Sequence, residues 1–324
     1  MARKKKFKNN AGVQVLIGIV ALVAIAFLGN LHDTNLLDSL SEVVQTDSLE
    51  SVDNSNNTST VTNVDGDLII DYIDVGQADS ILIRQGDATM LIDGGTSECK
   101  DDLLAFLSDK NIDKFEYVVG THTHEDHIGS LDDVVNRYDF DTFLFPNTTA
   151  TTKTFENLVL AVQQKNKKFT VPQVGQEYSL GEAKFQILAP NGDDYSSANN
   201  YSIVIKLTYG SNTFLFTGDA ESISESEILD KGFNVSADVL KVGHHGSTTS
   251  TSKEFLDAVS PKYAVISVGK DNSYNLPTKT TMEKLQEKNI PVYRTDEQGT
   301  IECTSDGTNI TFNVEPGSYA YMED

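Results

Sequence analysis

The run Gly120-Thr121-His122-Thr123-His124-Glu125-Asp126-His127-Ile128-Gly129 gathers three of the chain's six histidines into six residues. It follows FEYVVGT (115–121), an apolar segment that predicts a buried strand. A strand ending in His-x-His-x-Asp-His puts four lone-pair side chains, His122, His124, Asp126 and His127, on one tight loop. Imidazole with carboxylate is the donor set suited to Zn2+, Mn2+ or Fe. Three protonated imidazoles so close together would repel one another, and a dication avoids this by holding them neutral. A polar loop that is histidine-rich by chance is the weaker alternative.

Two later segments repeat the pattern of an apolar strand followed by a donor. TFLFTGDAE (213–221) presents Asp219 and DVLKVGHHGS (238–247) presents His244 and His245. An isolated Thr-Gly-Asp is more often a turn or a helix cap. Strand ends at one sheet edge, however, bring His122, His124, Asp126, His127, Asp219 and His244 into one cleft. That set is enough for two metals bridged by Asp219.

Other segments supply the frame. LIIDYIDV (68–75), SILIRQ (80–85) and ATMLID (88–93) predict an antiparallel meander, and strands are expected at 185–189, 202–209, 213–217, 238–243 and 263–268 and near Val292, Ile301 and Ile310. Helical spacing marks 101–111, 151–168, 222–231, 253–259 and 278–288. Meanders followed by strand–helix alternation imply an α/β (α+β layered) domain with helices outside mixed sheets.

Taken in order, His-x-His-x-Asp-His, Thr-Gly-Asp and Gly-His-His-Gly-Ser resemble the metallo-β-lactamase fold, an αββα sandwich. Asp74-Val75-Gly76-Gln77-Ala78-Asp79, Leu91-Ile92-Asp93-Gly94-Gly95 and Leu240-Lys241-Val242-Gly243-His244-His245-Gly246-Ser247 are similar to the C-terminal hydrolase domain of ComEC-type competence proteins. The resemblance implies a first metal on His122 and His124, a second on Asp126, His127 and His244, and Asp219 touching both. It also implies that Asp93 fixes a ligand imidazole from behind, a plain turn carboxylate being the alternative. The mechanism expected is hydrolysis by a metal-bound hydroxide, with Asp126 orienting or deprotonating the water and His245 either contacting substrate or capping its turn.

There are departures from the family pattern. No histidine occurs from 128 to 243, so the first site is one protein ligand short of many members of the fold. Asn275-Leu276-Pro277 stands where the competence branch commonly has Gly-His-Pro, and Ala78 replaces a glycine.

The 324 residues carry 25 Lys+Arg and 48 Asp+Glu, a net charge of −23, unevenly spread. Residues 1–10 hold five basic groups and no acid, a basic cytoplasmic tip; 11–29, AGVQVLIGIVALVAIAFLG, are uncharged. A helix of that run is about 28 Å long, enough to cross a bilayer, and the flanking charges put the rest of the chain outside the cytoplasm. The expectation is a single-pass signal-anchor in the cell membrane, with secretion after signal cleavage as the competing reading. Residues 31–66, with seven acids and no Lys or Arg, read as an acidic flexible linker, and 67–318 as the hydrolase domain. Cys99 and Cys303 fit either one disulfide or two reduced thiols.

The expected function is a membrane-anchored extracytoplasmic hydrolase with two divalent ions, Zn2+ or Mn2+, acting as a phosphodiesterase, with nuclease activity within that class. Its partner is then a small-molecule or envelope phosphodiester, or single-stranded nucleic acid. Residues 67–324 carry 41 acids against 20 bases, the wrong sign for tracking a polyanion, and Lys165, Lys167 and Lys168 form their only tight basic cluster. The alternatives are an ester, lactone or β-lactam hydrolase of the same fold, and a non-catalytic metal-binding module.

Overall fold

The computed structural model describes residues 66–321, together with the backbone of a two-residue strand at Val44–Gln45. The basic tip, the segment 11–29 and, apart from Val44, Gln45 and Gly66, the linker lie outside the described residues. Among the described residues no helix is long and apolar enough to cross a membrane.

The alternating run from Leu68 folds as the expected meander, β1 (Leu68–Tyr72), β2 (Ile81–Gln85) and β3 (Ala88–Ile92), with Ile70 opposite Ile83 and Ile83 opposite Met90. Helix α1 (Lys100–Asp109) then carries the chain over so that β4 (Lys114–Val119) adds in parallel to β3. Two short helices, α2 (Glu125–Ile128) and α3 (Leu131–Arg137), precede β5 (Asp139–Leu144), parallel to β4. Helix α4 (Lys153–Gln164) leads to the two-residue β6 (Phe169–Thr170).

The second half repeats this logic. Strands β7 (Glu177–Leu180), β8 (Ala183–Ala189), β9 (Val204–Tyr209) and β10 (Asn212–Phe216) are an antiparallel meander. Helices α5 (Ser222–Asp230), α6 (Lys253–Val259) and α7 (Lys279–Glu287) then alternate with parallel strands β11 (Val239–Lys241), β12 (Tyr263–Ile266) and β13 (Val292–Arg294). After α8 (Thr295–Gln298) the chain returns to the first sheet as β14 (Ile301–Ser305), antiparallel to β1, and β15 (Ile310–Phe312). Within residues 66–321 the sheet orders are therefore β6-β5-β4-β3-β2-β1-β14-β15 and β13-β12-β11-β10-β9-β8-β7.

The two sheets pack face to face through Leu68, Ile70, Tyr72, Ile83 and Met90 on one side and Phe185, Ile205, Phe214, Phe216 and Val239 on the other. Strand period two sends the intervening Leu215, Leu240 and Ala264 to the reverse face, where Ile228, Phe255, Leu256, Met282 and Leu285 of the helices cover them. Burying each large apolar side chain contributes about 1.5–3 kcal/mol, so this double-sided core is the main stabilising term. Phe216→Ala, beside Tyr72 at 6.3 Å between ring centroids, would cost about 3–5 kcal/mol.

Several elements differ from expectation, α2, α3, β6, β7 and α8 among them, all short and unforeseen. The helix expected to reach residue 168 stops at Gln164, because Asn166 turns left-handed (φ 55), its amide donating to Gln163 and that of Lys167 reaching back to Val162. Lys167 and Lys168 therefore belong to the turn before β6 rather than to a helix end. Strand β5, DFDTFL, is unforeseen: Asp139 and Asp141 point out while Phe140, Phe143 and Leu144 are buried. The cysteines are two buried free thiols, not a disulfide.

Candidate metal centre

Parallel strands β4, β10 and β11 all run the same way in their sheets, and the donor segments follow their carboxyl ends, where α/β sheets place ligands. After β4 the chain turns through Thr121 to buried His122, exposed His124, half-buried Asp126 and buried His127. Asp93, at the end of β3 with φ 60, ties this loop down. One oxygen accepts from the Thr121 amide at 2.8 Å; the other accepts from the Thr121 hydroxyl and from His127 Nδ1, each at 2.7 Å. With Nδ1 donating to Asp93, the lone pair of His127 lies on Nε2 and faces the cleft. Glu125 ties the loop from outside by accepting from both the amide and the hydroxyl of Ser97, each at 2.7 Å.

The second sheet brings Asp219 against these imidazoles, and its two oxygens face different partners. Oδ1 lies 3.3 Å from His127 Nε2 and 3.9 Å from His245 Nε2, while Oδ2 lies 3.6 Å from His244 Nε2 and 4.0 Å from His122 Nε2. Asp126 Oδ2 is 3.3 Å from His245 Nε2 and 3.9 Å from His127 Nε2. Besides Asp79/Asp93/His127, two groups of donors within 4.8 Å of one another result, Asp126/His127/Asp219/His245 and His122/His124/Asp219, any of the three being able to hold a cation. Asp219 is common to the last two.

His244 and His245 exchange the places expected of them. Both adopt left-handed backbone (φ 51 and 52), so the two rings diverge. His245 turns inward, 2 % exposed, with Nδ1 donating to the Ser267 carbonyl at 2.9 Å and Nε2 on Asp126; it joins the group of Asp126 and His127 and has no nitrogen left for a substrate. His244, expected in that group, stands on the Oδ2 side of Asp219, a quarter exposed, with Nδ1 on Thr249 Oγ1 at 2.9 Å. Non-glycine residues are held in such conformations only where the surroundings over-determine them, most often at functional sites.

The electrostatics ask for positive charge. Burial and the neighbouring His127 push the pKa of His122 well down, so it stays neutral. Burial would also depress His127 and His245, but facing carboxylates, Asp219 foremost, outweigh it and raise His127 well above the usual range and His245 to about 10. Burial would raise Asp126 and Asp219, but the same imidazoles hold Asp126 at about 2 and Asp219 well below the ordinary carboxylate range. Among the described residues, His127 Nε2 and Asp219 Oδ1 are buried polar atoms with no hydrogen-bond partner. Buried polar atoms are nearly always satisfied, so two orphans facing each other between carboxylates and imidazoles fit a cation.

Ser202 fills the space between His122 and the Asp219 backbone. Its hydroxyl lies 3.3 Å from His122 Nδ1 and accepts the Asp219 amide at 3.1 Å. Leu276, in place of the family's histidine, is buried in the outer core of the second sheet. The left-handed residue of the 74–79 turn is Gly76 (φ 77), so Ala78 is tolerated without strain. Sequence reasoning missed Asp79 and Lys241, which form a buried ion pair behind His245 (2.8 Å). The signal was a lysine inside the apolar run DVLKVG.

A model of the metallo-beta-lactamase superfamily matches residues 73–270. The chain belongs to the metallo-β-lactamase superfamily. With its His/Asp cluster this makes it a metal-dependent hydrolase of that fold, related to competence proteins. It is similar to ComE operon protein 3 of Bacillus subtilis, 31 % identical over 265 residues (76 % of this chain, 34 % of that protein). It is also similar to the competence protein ComA of Neisseria gonorrhoeae, 29 % identical over 231 residues (71 % and 31 %). The metallo-β-lactamase-fold chain thus spans about a third of the length of these relatives. Among solved structures, a mutant of the CmlA β-hydroxylase is alike in fold alone, with a TM-score of 0.51 at 14 % identity over 90 % of this chain and 61 % of that one.

Proposed function

We propose that this chain is a membrane-anchored, extracytoplasmic phosphodiesterase with a two-cation centre arranged about Asp219. The observation that carries the reading is the division of Asp219, Oδ1 toward His127 and His245, Oδ2 toward His122 and His244. In this reading Oδ1 with Asp126, His127 and His245 holds one cation, and Oδ2 with His122, His124 and His244 holds the other. When bound, the pair supplies an activated water and neutralises charge on the attacked group.

The chain's own residues do the rest. Asp126, whose side chain is one-third exposed and which stays ionised down to about pH 2, is placed to orient that water and take its proton. His124 and His244 are the imidazoles of the cluster that reach solvent, so the open side of the centre, by which substrate enters, is theirs rather than that of buried His245. Two adjacent cations suit in-line displacement at phosphorus, and likeness to competence proteins favours a phosphodiester. The balance of −21 over residues 67–324 disfavours duplex nucleic acid and leaves single-stranded ends or an envelope phosphodiester as substrates.

The test is turnover by the full chain, with Zn2+ or Mn2+ supplied, of bis-p-nitrophenyl phosphate, single-stranded DNA, p-nitrophenyl butyrate and nitrocefin. Hydrolysis of the phosphodiesters is expected. Turnover of the carboxylic ester or nitrocefin alone would replace this reading with an acyl hydrolase, and turnover of none by protein carrying two cations would make it a binding module. The anchor is tested by membrane fractionation and by protease added outside intact cells, which should remove the domain from its membrane segment.

A further inference from the structure

Lys241 is fully buried at the end of β11, where Val239, two residues earlier, faces the layer between the sheets. Strand periodicity sends the lysine the same way, and its ammonium reaches Asp79 Oδ2 of the opposite sheet at 2.8 Å and the Val242 carbonyl at 3.1 Å. Asp79 is itself 2 % exposed, and its amide and Oδ1 are turned toward the centre. Its amide donates to the Asp126 carbonyl at 3.1 Å, its carbonyl accepts from the Gly95 amide at 2.8 Å, and its Oδ1, which has no hydrogen-bond partner among the described residues, lies 3.3 Å from His245 Nδ1. Asp79 therefore touches the backbone of one cation donor, from the first sheet, and the ring of another, from the second. Lys241 fixes it from behind, four residues before His245 on the same strand and loop.

We propose that the Lys241–Asp79 pair is a positioning device that holds Asp126 and His245, contributed by opposite sheets, in register for one cation. A buried ion pair contributes little net stability, and apolar replacement of both partners is often neutral, so stability alone does not explain a lysine in a core strand. Partners behind the ligands, by contrast, orient them, and their loss typically lowers metal affinity about 10–100-fold. The pair acts on the Asp126/His127/Asp219/His245 group and leaves His122 and His124 untouched.

This inference rests on the reading of the cluster as a two-cation centre, and one experiment separates the two. Zn2+ is titrated calorimetrically into the full chain, with bound zinc counted by mass spectrometry, for wild type, Asp79→Leu/Lys241→Met and the nearly isosteric Asp79→Asn/Lys241→Met. Circular dichroism and thermal melting report the fold. Two zinc ions in the wild type, with one retained and the other weakened about 10–100-fold in a folded double variant, is the expected result, the asparagine variant losing less. Unchanged affinity for both ions in either folded variant overturns the positioning role. Collapse of both variants overturns it too, since the pair would then hold the domain rather than the site. A wild type that takes up no zinc overturns the two-cation reading instead.

Discussion

His127 Nε2 and Asp219 Oδ1 face each other across the two sheets at 3.3 Å, both buried and neither hydrogen-bonded. A cation held there by the folded chain and not by the unfolded one should stabilise the fold. A ligand at 100 times its dissociation constant adds about 2.7 kcal/mol, which in a domain of this size raises Tm by roughly 5–10 °C. Scanning fluorimetry of chelator-treated protein with and without Zn2+ measures this. An identical Tm in the two samples would remove the metal site.

Asp219 serves both donor groups, so it is the single position whose loss disables both. Asp219→Asn keeps the shape and removes the charge that the imidazoles face. Phosphodiesterase kcat/KM should fall about 100-fold or more, a loss of about 2.7 kcal/mol or more of transition-state stabilisation. Bound zinc should fall below two per chain. Full activity with two zinc ions would show that Asp219 bridges nothing.

The His-x-His-x-Asp-His loop was legible because its donors are consecutive and local. The meander from Leu68 was equally plain, since residues alternate along a strand that is buried on both sides of the sheet. What was not legible depends on superposing the two sheets. Asp79 and Lys241 are 162 residues apart, and nothing local to either tells of the other. That His245 rather than His244 lies beside Asp126 was hidden because two successive left-handed residues change the sense in which neighbouring side chains point. Strand β5 was hidden by Asp139 and Asp141, whose outward carboxylates break the apolar run that marks a buried strand.

In the metal-free protein the cluster should make stability depend on pH at both ends. His245, raised to about 10 against an unfolded value of about 6.5, contributes stability that is complete below 6.5 and lost as pH rises toward 10. Asp126, lowered to about 2 against an unfolded value of about 3.9, contributes stability that is complete above 3.9 and lost as pH falls toward 2. Urea unfolding with chelator present should therefore show a declining midpoint from pH 6.5 to 10. With Zn2+ bound, the dication replaces the proton on His245 and the alkaline decline should flatten. Parallel alkaline slopes in the two series would count against His245 as a donor.

Asp93 gives the sharpest distinction between holding the loop and holding the metal. It accepts from Thr121 twice and from His127 once, all within 2.7–2.8 Å and fully enclosed. Asp93→Ala leaves the Thr121 amide and hydroxyl unsatisfied and should cost about 1–3 kcal/mol for each buried group. Asp93→Asn retains one acceptor oxygen and most of the volume. It removes the carboxylate that fixes Nδ1 of His127 as donor, so the ring can rotate or present its proton on Nε2. The asparagine variant should keep a near-native Tm in chelator yet bind zinc about 10–100-fold more weakly, whereas the alanine variant should lose both. If Asp93 were only a turn carboxylate, Asp93→Asn would bind zinc with wild-type affinity, and calorimetric titration decides between the two.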